Sequence, residues 1–195
     1  MVEYDARTAL IVVDVQNDFA DPMGSLYVPG GEEVIPAVNR EIGRAKAAGA
    51  FVAYTQDWHP AHTPHFLQDG GVWPVHCVAE THGSAFHPAL ELIDSPVIRK
   101  GTGGEDGYSA FSLRDAESGA HSATELESLL RARQIERIVI VGLATDYCVK
   151  ETGLDAVRLG FNAVVVTDAV RGVEVVPGDS ERALRALQDA GVSLE

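Results

Sequence analysis

Three residues with reactive or charged side chains follow three apolar runs of the chain, and together they could form a nucleophilic site. Asp14 ends the run ALIVVD, Lys100 ends PVIRK, and Cys148 lies just beyond IVIV. In open parallel sheets ligands bind beyond the carboxyl ends of the strands, where these side chains would meet. A carboxylate can take the proton of a thiol, an ammonium group can stabilise the thiolate, and the thiolate can attack an electrophilic carbon. Asp14, Lys100 and Cys148 are therefore the predicted catalytic residues.

Each of these residues also has an ordinary structural interpretation. A lone cysteine is most often a small buried apolar residue, an aspartate can cap a turn, and a lysine can be a solvated charge. Cys148 stands out because it lies near the start of a predicted helix, where unpaired N–H groups and the helix dipole favour a thiolate. We expect Thr145 or Asp146 to cap this helix, and backbone N–H groups from Ala144 to Cys148 to stabilise a developing oxyanion.

The elements that must position these residues alternate between strand and helix. The predicted strands are 9–14, 50–56, 96–100, 138–141, 162–167 and 192–194. The predicted helices are 32–48, 122–133, one carrying Cys148, and 179–190. This alternation predicts an α/β fold in which helices cover both faces of a parallel sheet. A chain of 195 residues suits one such domain, 1–195, better than two.

Composition narrows the classes of partner. The formal net charge of −14 argues against nucleic acid and anionic membranes, because both attract basic surfaces. Two cysteines do not make a disulfide framework. The first residues carry acidic side chains and only a short apolar run, so we expect neither a secretory signal nor a spanning helix. A cytoplasmic protein that acts on a small molecule is the resulting expectation.

A long segment without sustained periodicity, residues 58–95, follows the second predicted strand. It holds six of the seven histidines and both tryptophans. Long irregular segments in compact domains usually have a function. Asp57 and His59 open the segment, and His65 and His76 follow. One carboxylate with two or three imidazoles suits Zn, Fe or Mn, so we predict one divalent metal ion in a loop at about 57–95. Cys77 has apolar neighbours and is interpreted as a packing residue.

Five short motifs, taken together and in order, closely resemble the nicotinamidases of the isochorismatase-like cysteine hydrolase family. They are VVDVQNDF, QDWH, PVHCV, RKG and GLATDYCV, and the resemblance spans nearly the whole chain. It implies a three-layer α/β/α fold with a six-stranded parallel sheet and a triad of Cys148, Asp14 and Lys100. It also implies hydrolysis of nicotinamide to nicotinate and ammonia through a cysteine thioester, a role in NAD salvage, and pyrazinamide as a further substrate.

The resemblance also implies roles for the remaining site residues. The metal ligands of the family match Asp57, His59 and His76, and His65 is at a position that some members use as a further ligand. The aromatic residues that sandwich the substrate ring match Phe19 and Trp73, with Tyr108 as a further candidate. The oxyanion hole matches the backbone N–H groups of Ala144 and Cys148, after a cis peptide bond between Leu143 and Ala144. In the family the metal holds the pyridine nitrogen.

Three other functions stay open at this point. The chain could be a cysteine hydrolase of the same fold that acts on another amide or a carbamoyl group. It could be a metallohydrolase in which metal-bound water attacks and Cys148 only packs. It could also be a metal-binding or ligand-binding module without catalysis. Residues 101–119 match no pattern that we can assign. The resemblance implies that they border the pocket, and a contact with another subunit of a homo-oligomer is the alternative.

Overall fold

A computed structural model describes residues 2–116 and 118–195. Its eight strands are β1 (Thr8–Val13), β2 (Phe51–Asp57), β3 (Val97–Lys100), β4 (Ser112–Arg114), β5 (His121–Ala123), β6 (Arg137–Leu143), β7 (Asn162–Arg171) and β8 (Ser193–Leu194). Its five α-helices are α1 (Asn17–Ala20), α2 (Ile35–Ala47), α3 (Leu126–Ala132), α4 (Lys150–Arg158) and α5 (Asp179–Asp189). Short 3₁₀ turns cover Glu32–Val34 and Leu67–Asp69, and a π-turn covers Thr145–Val149.

Six strands form one parallel sheet in the order β3-β2-β1-β6-β7-β8, as the resemblance implied. The central strand β1 is buried along its whole length, as expected for an interior strand of a parallel sheet that is covered on both faces. Alternate residues of β1 enter two separate cores, with Leu10 and Val12 on one face and Ile11 and Val13 on the other.

Helices cover both of these faces. The buried side of α2, which includes Val38 and Ile42, packs into the core that holds Leu10. Leu130 of α3 and Leu187 of α5 pack into the opposite core, together with part of α4. The predicted α/β/α arrangement of three layers is therefore confirmed.

The predicted helix 122–133 begins too early. Residues 121–123 form β5, which pairs with β4 in an antiparallel two-stranded sheet, and α3 starts only at Leu126. The Thr124 hydroxyl explains the late start, because it donates to the Ala110 carbonyl (2.6 Å) and accepts from the Leu126 N–H (3.3 Å). Within the segment 101–119, Ser112–Arg114 form β4 and Asp106 bridges to Arg114; residue 117 lies outside the described residues.

Gly142, near the end of β6, has a φ of 109°, and a Cβ there would lie 2.1 Å from the Val13 carbonyl oxygen, so the close approach of β6 to β1 requires glycine. In the described part of the chain, none of the helices combines the length and the apolar character that a bilayer crossing requires.

Candidate active site

The carboxyl ends of β1, β2 and β3 bring three charged side chains together. Asp14 follows β1, while Asp57 and Lys100 are paired in register at the ends of β2 and β3. The Lys100 ammonium nitrogen lies 2.7 Å from Asp14 Oδ2 and 2.9 Å from Asp57 Oδ1. It also lies 3.5 Å from the Cys148 sulfur. The three predicted catalytic residues therefore meet at one edge of the sheet.

Lys100 is buried completely, yet it remains an ammonium group. Its Nζ donates to Asp14 and to the Gly107 carbonyl oxygen, the latter at 2.6 Å. Burial alone would lower the pKa of Lys100, but the Asp14 and Asp57 carboxylates raise this pKa well above its usual value. A permanent cation is thus fixed beside the thiol.

Both carboxylate oxygens of Asp14 have partners. The Thr55 hydroxyl donates to Oδ1 at 2.5 Å, and Lys100 donates to Oδ2. The Asp14 N–H in turn donates to the Thr55 hydroxyl at 3.2 Å. Burial raises the pKa of Asp14, and the Lys100 charge opposes this rise. The carboxylate is therefore held in one orientation as a hydrogen-bond acceptor with an elevated proton affinity.

The surroundings of Cys148 favour the thiol form, which opposes the preference for a thiolate expected from the helix start. Burial raises the pKa of Cys148 well above its usual value; Lys100 opposes the rise, and Asp14 and Asp57 add to it. The helix start does not compensate for this loss of solvent and for two nearby carboxylates. The thiol proton must therefore leave as the sulfur attacks, and Asp14 is a carboxylate within reach to accept it.

The turn that carries Cys148 differs from an ordinary helix start. The peptide bond between Leu143 and Ala144 is cis, as the resemblance implied. The N–H groups of Tyr147 and Val149 both donate to the Ala144 carbonyl at 3.1 Å, which gives the wide π-turn. Among the described residues, neither the Ala144 N–H nor the Cys148 N–H donates to a group outside this turn.

Neither expected helix cap is present, because Asp146 has a different role. Its buried carboxylate accepts the N–H groups of Val173 (2.9 Å) and Glu174 (2.8 Å), which follow β7. No side-chain cap is formed at the start of the turn or of α4. Asp146 therefore connects the turn that bears Cys148 to the segment that bears Val173.

A cluster of imidazoles lies beside these groups. Ring nitrogens of His59, His65 and His76 all lie within 4.8 Å of one another, and all three residues are buried. Asp57 Oδ2 is 3.8 Å from His59 Nε2 and 3.9 Å from His76 Nε2. Burial lowers the pKa of His76 to about 4, so this ring is neutral at neutral pH and its lone pair can bind a metal.

These residues fit a divalent cation. Both ring nitrogens of His59 are buried without a hydrogen-bond partner among the described residues, and such groups normally have one. The buried carboxylates of Asp14 and Asp57 face the single ammonium group of Lys100, so negative charge is in excess. A carboxylate with several neutral imidazoles is a donor set that Zn and similar ions accept.

One pocket opens onto the thiol and onto the imidazole cluster. Cys148, Asp57, His65 and His76 all line it. Its walls are aromatic or aliphatic: Phe19, Leu26, Trp73, Tyr108, Tyr147 and Val173. Trp73 is oriented by its neighbours, because its ring N–H donates to the Tyr108 hydroxyl at 2.8 Å and its ring meets Tyr147 edge-on at 4.8 Å. A flat aromatic molecule is the ligand that such walls favour.

Comparison with known proteins identifies the family. The isochorismatase domain matches residues 8–194. The chain belongs to the isochorismatase family. The nicotinamidase of Escherichia coli (strain K12) is 38% identical over 203 aligned residues, which cover 95% of this chain and 93% of that protein.

Solved structures of isochorismatase-family relatives agree with the fold described above. The pyrazinamidase of Pyrococcus horikoshii in complex with zinc is 39% identical, with a TM-score of 0.86 and coverage of 97% of this chain and 98% of that one. The PnC1 protein from L. infantum in complex with nicotinate is 34% identical, with a TM-score of 0.88 and coverage of 100% and 95%.

Several residues of this isochorismatase-family site were not predicted. Gln16 fixes Asp57 through its backbone: the side chain donates to the Asp57 carbonyl and accepts the Asp57 N–H, both at 2.8 Å. Thr55 fixes Asp14, and Leu26, Tyr147 and Val173 complete the pocket. The only sequence signal for Gln16 and Thr55 is a polar side chain next to residues that must be buried. Cys77 is buried, and burial raises its pKa well above the usual value, which confirms the packing interpretation.

Proposed function

We propose that this chain hydrolyses nicotinamide to nicotinate and ammonia, and that pyrazinamide is a second substrate. The observation that carries the proposal is that one pocket holds a thiol, an imidazole cluster and flat aromatic walls. Nicotinamide has a matching set of parts: a carboxamide carbon for the thiol, a ring nitrogen for a metal, and an aromatic ring for the walls. The nicotinamidase and pyrazinamidase relatives support the same choice of substrate.

The substrate ring would lie between Phe19 and Trp73, with Tyr108 orienting the indole. The residues that would hold one divalent ion are Asp57, His59, His65 and His76. When bound there, the ion supplies a Lewis-acid contact for the pyridine nitrogen, and the zinc complex of the Pyrococcus relative favours zinc. Fixing the ring in this way holds the carboxamide carbon near Cys148, and such positioning is a large part of many enzymatic rate gains.

The first half of the reaction forms a thioester. Asp14 accepts the thiol proton as the Cys148 sulfur bonds to the carboxamide carbon, and Lys100 remains an ammonium group that balances the charge. The N–H groups of Ala144 and Cys148 donate to the oxyanion of the tetrahedral intermediate. Asp14 then returns the proton to the leaving nitrogen, the C–N bond breaks, and ammonia departs.

The second half of the reaction releases the acid. Asp14 accepts a proton from a water molecule as the water oxygen bonds to the thioester carbon. The C–S bond then breaks, the sulfur recovers a proton from Asp14, and nicotinate leaves. The same carboxylate thus acts twice as base and twice as acid, which suits its elevated pKa and its fixed orientation between Thr55 and Lys100.

The test is ammonia release from nicotinamide by the purified, reduced, zinc-loaded protein. We expect turnover by the wild type and a loss of at least about 10³-fold in Cys148→Ala, because no other group can form the thioester. Cys77→Ala is the matched control and should keep most of the activity, because Cys77 lies outside the pocket. A near-normal rate in Cys148→Ala would contradict the mechanism.

The same ammonia assay, repeated with other amides and after treatment with iodoacetamide, separates the alternative functions. Release of ammonia from another amide but not from nicotinamide would keep the thiol mechanism and change the substrate. Activity that survives iodoacetamide would favour attack by metal-bound water. A cytoplasmic location, a role in NAD salvage and assembly into a homo-oligomer stay predictions.

A further inference from the structure

The three clustered imidazoles differ in the hydrogen-bond partners of their ring nitrogens. His76 Nδ1 lies 2.7 Å from the Pro74 carbonyl oxygen, which is a neutral acceptor. His65 Nδ1 lies 2.8 Å from Asp106 Oδ1, which is a carboxylate. His59 has no hydrogen-bond partner at either ring nitrogen among the described residues. Within that part of the chain, His65 is thus the one ring of the cluster that is hydrogen-bonded to an acidic side chain.

The contact with Asp106 determines which nitrogen of His65 can bind a metal. An ionised carboxylate can only accept hydrogen bonds, so Nδ1 must carry the proton and Nε2 keeps its lone pair. The His65 side chain is buried and stacks on His59, with the ring centroids 4.8 Å apart and the planes at 20°. Asp106 therefore selects the tautomer in which His65 can act as a ligand beside His59 and His76.

Asp106 is itself held by the small antiparallel sheet. Its N–H donates to the Arg114 carbonyl (2.8 Å), and the Arg114 N–H donates back to the Asp106 carbonyl (2.9 Å). The Arg114 guanidinium lies 3.8 Å from Asp106 Oδ2. A second contact joins the same two segments, since the Thr63 hydroxyl donates to the Gly104 carbonyl at 3.0 Å. The segment that contains Asp106 is thus attached at two points to residues 58–95, which we call the histidine loop.

We infer that Asp106 is a positioning residue that makes His65 a metal ligand and thereby increases the metal affinity of the site. This inference rests on the metal centre in the proposed function. Carboxylates that accept from ligating histidines fix the ring orientation and increase the basicity of the ligand, and their loss typically weakens metal binding by about 10- to 100-fold.

The test measures zinc affinity without substrate. Metal-free protein, prepared by dialysis against a chelator, competes for zinc with a chromophoric chelator. We expect Asp106→Ala to weaken zinc binding by about 10- to 100-fold. Asp106→Asn should lose less, because its amide oxygen can still accept from Nδ1 as the Pro74 carbonyl does for His76. In a His65→Ala background, Asp106→Ala should cause no further loss.

Glu105→Gln is the control for charge alone, because Glu105 is adjacent to Asp106 and makes no side-chain hydrogen bond within the described residues. It should bind zinc like the wild type. Unchanged affinity in Asp106→Ala, or an equal loss with and without His65, would overturn the inference. If the wild type itself failed to bind zinc, the metal centre and this inference would fall together. A different amide substrate would leave the result unaffected, because no substrate is present.

Discussion

Two groups of residues meet at the carboxyl end of the sheet, and they are held by different kinds of structure. Asp14 and Lys100 project from the carboxyl ends of β1 and β3, which lie on either side of β2, so the register of the parallel sheet fixes their separation. His65 and His76 lie in the irregular segment between β2 and β3. Their orientations depend on single hydrogen bonds, which His65 donates to Asp106 and His76 donates to the Pro74 carbonyl.

This difference in support indicates that a substitution can disrupt one group and leave the geometry of the other unchanged. A substitution at the sheet edge should remove the chemistry and, where a buried charge is lost, part of the stability. A substitution in the histidine loop should reduce metal and substrate binding while the thiol group stays intact. Asp57 belongs to both groups, since it contacts Lys100 on one side and lies near His59 and His76 on the other.

The largest effect is expected for Lys100→Met, which removes the cation from two buried carboxylates. We expect a loss of about 3–5 kcal/mol in the free energy of unfolding, typical of breaking a buried ion pair on one side, together with loss of turnover. Urea denaturation of the metal-free protein measures the stability. Lys150→Met is the matched control, because Lys150 pairs with Glu151 near the surface (3.1 Å) and such pairs contribute less than about 1 kcal/mol. Equal stability losses in the two variants would contradict the larger cost expected for leaving the buried carboxylates of Asp14 and Asp57 without their cation.

An intermediate effect is expected for His76→Ala in the histidine loop. Zinc affinity should fall by at least about 100-fold, more than the loss of a residue that only orients a ligand. Cys148 should still react with iodoacetamide at a rate close to that of the wild type, because its neighbours Asp14 and Lys100 are unchanged. His121→Ala, the histidine outside the loop, should leave zinc affinity unchanged. If His76→Ala abolished thiol reactivity as well, the two groups would not be independent.

The smallest effect is expected for Tyr108→Phe. This substitution changes the pocket wall and leaves both the sheet-edge residues and the histidine loop unchanged. The substitution removes the hydroxyl that accepts from the Trp73 ring N–H. A hydrogen bond of this kind contributes about 0.5–1.5 kcal/mol, so KM for nicotinamide should rise by about 2- to 10-fold with little change in kcat. Steady-state kinetics separate the two parameters. A fall in kcat at constant KM would instead show that Tyr108 affects the chemical step carried out by Cys148, Asp14 and Lys100.

The sheet could be predicted from the sequence because its strands are continuous apolar runs between turn signals. The predicted strands 9–14 and 138–141 lie on β1 and β6, and the positions of Asp14, Lys100 and Cys148 at one sheet edge follow from parallel topology alone. The metal ligands were predicted from the types of residue in the loop, and the ring-binding residues depended on the family resemblance. An irregular loop has no periodicity from which side-chain directions can be derived.

Other features could not be predicted because they depend on contacts between distant parts of the chain. Asp106 meets His65 across 41 residues, and Thr55 meets Asp14 across the same separation. Asp146 is a plausible helix cap by local rules, yet its carboxylate binds the backbone after β7. The early start predicted for α3 failed for the same reason, because Thr124 is bonded to Ala110.

The position of Trp73 has a spectroscopic consequence. The chain contains two tryptophans, and Trp58 lies under the Arg99 guanidinium, 3.8 Å from its ring centroid, away from the pocket walls. Trp73 forms part of those walls and contacts two tyrosines. A ring that enters the pocket would stack on this indole and alter its fluorescence. A protein in which phenylalanine replaces Trp58 would therefore emit from the pocket alone and would carry its own optical probe of occupancy.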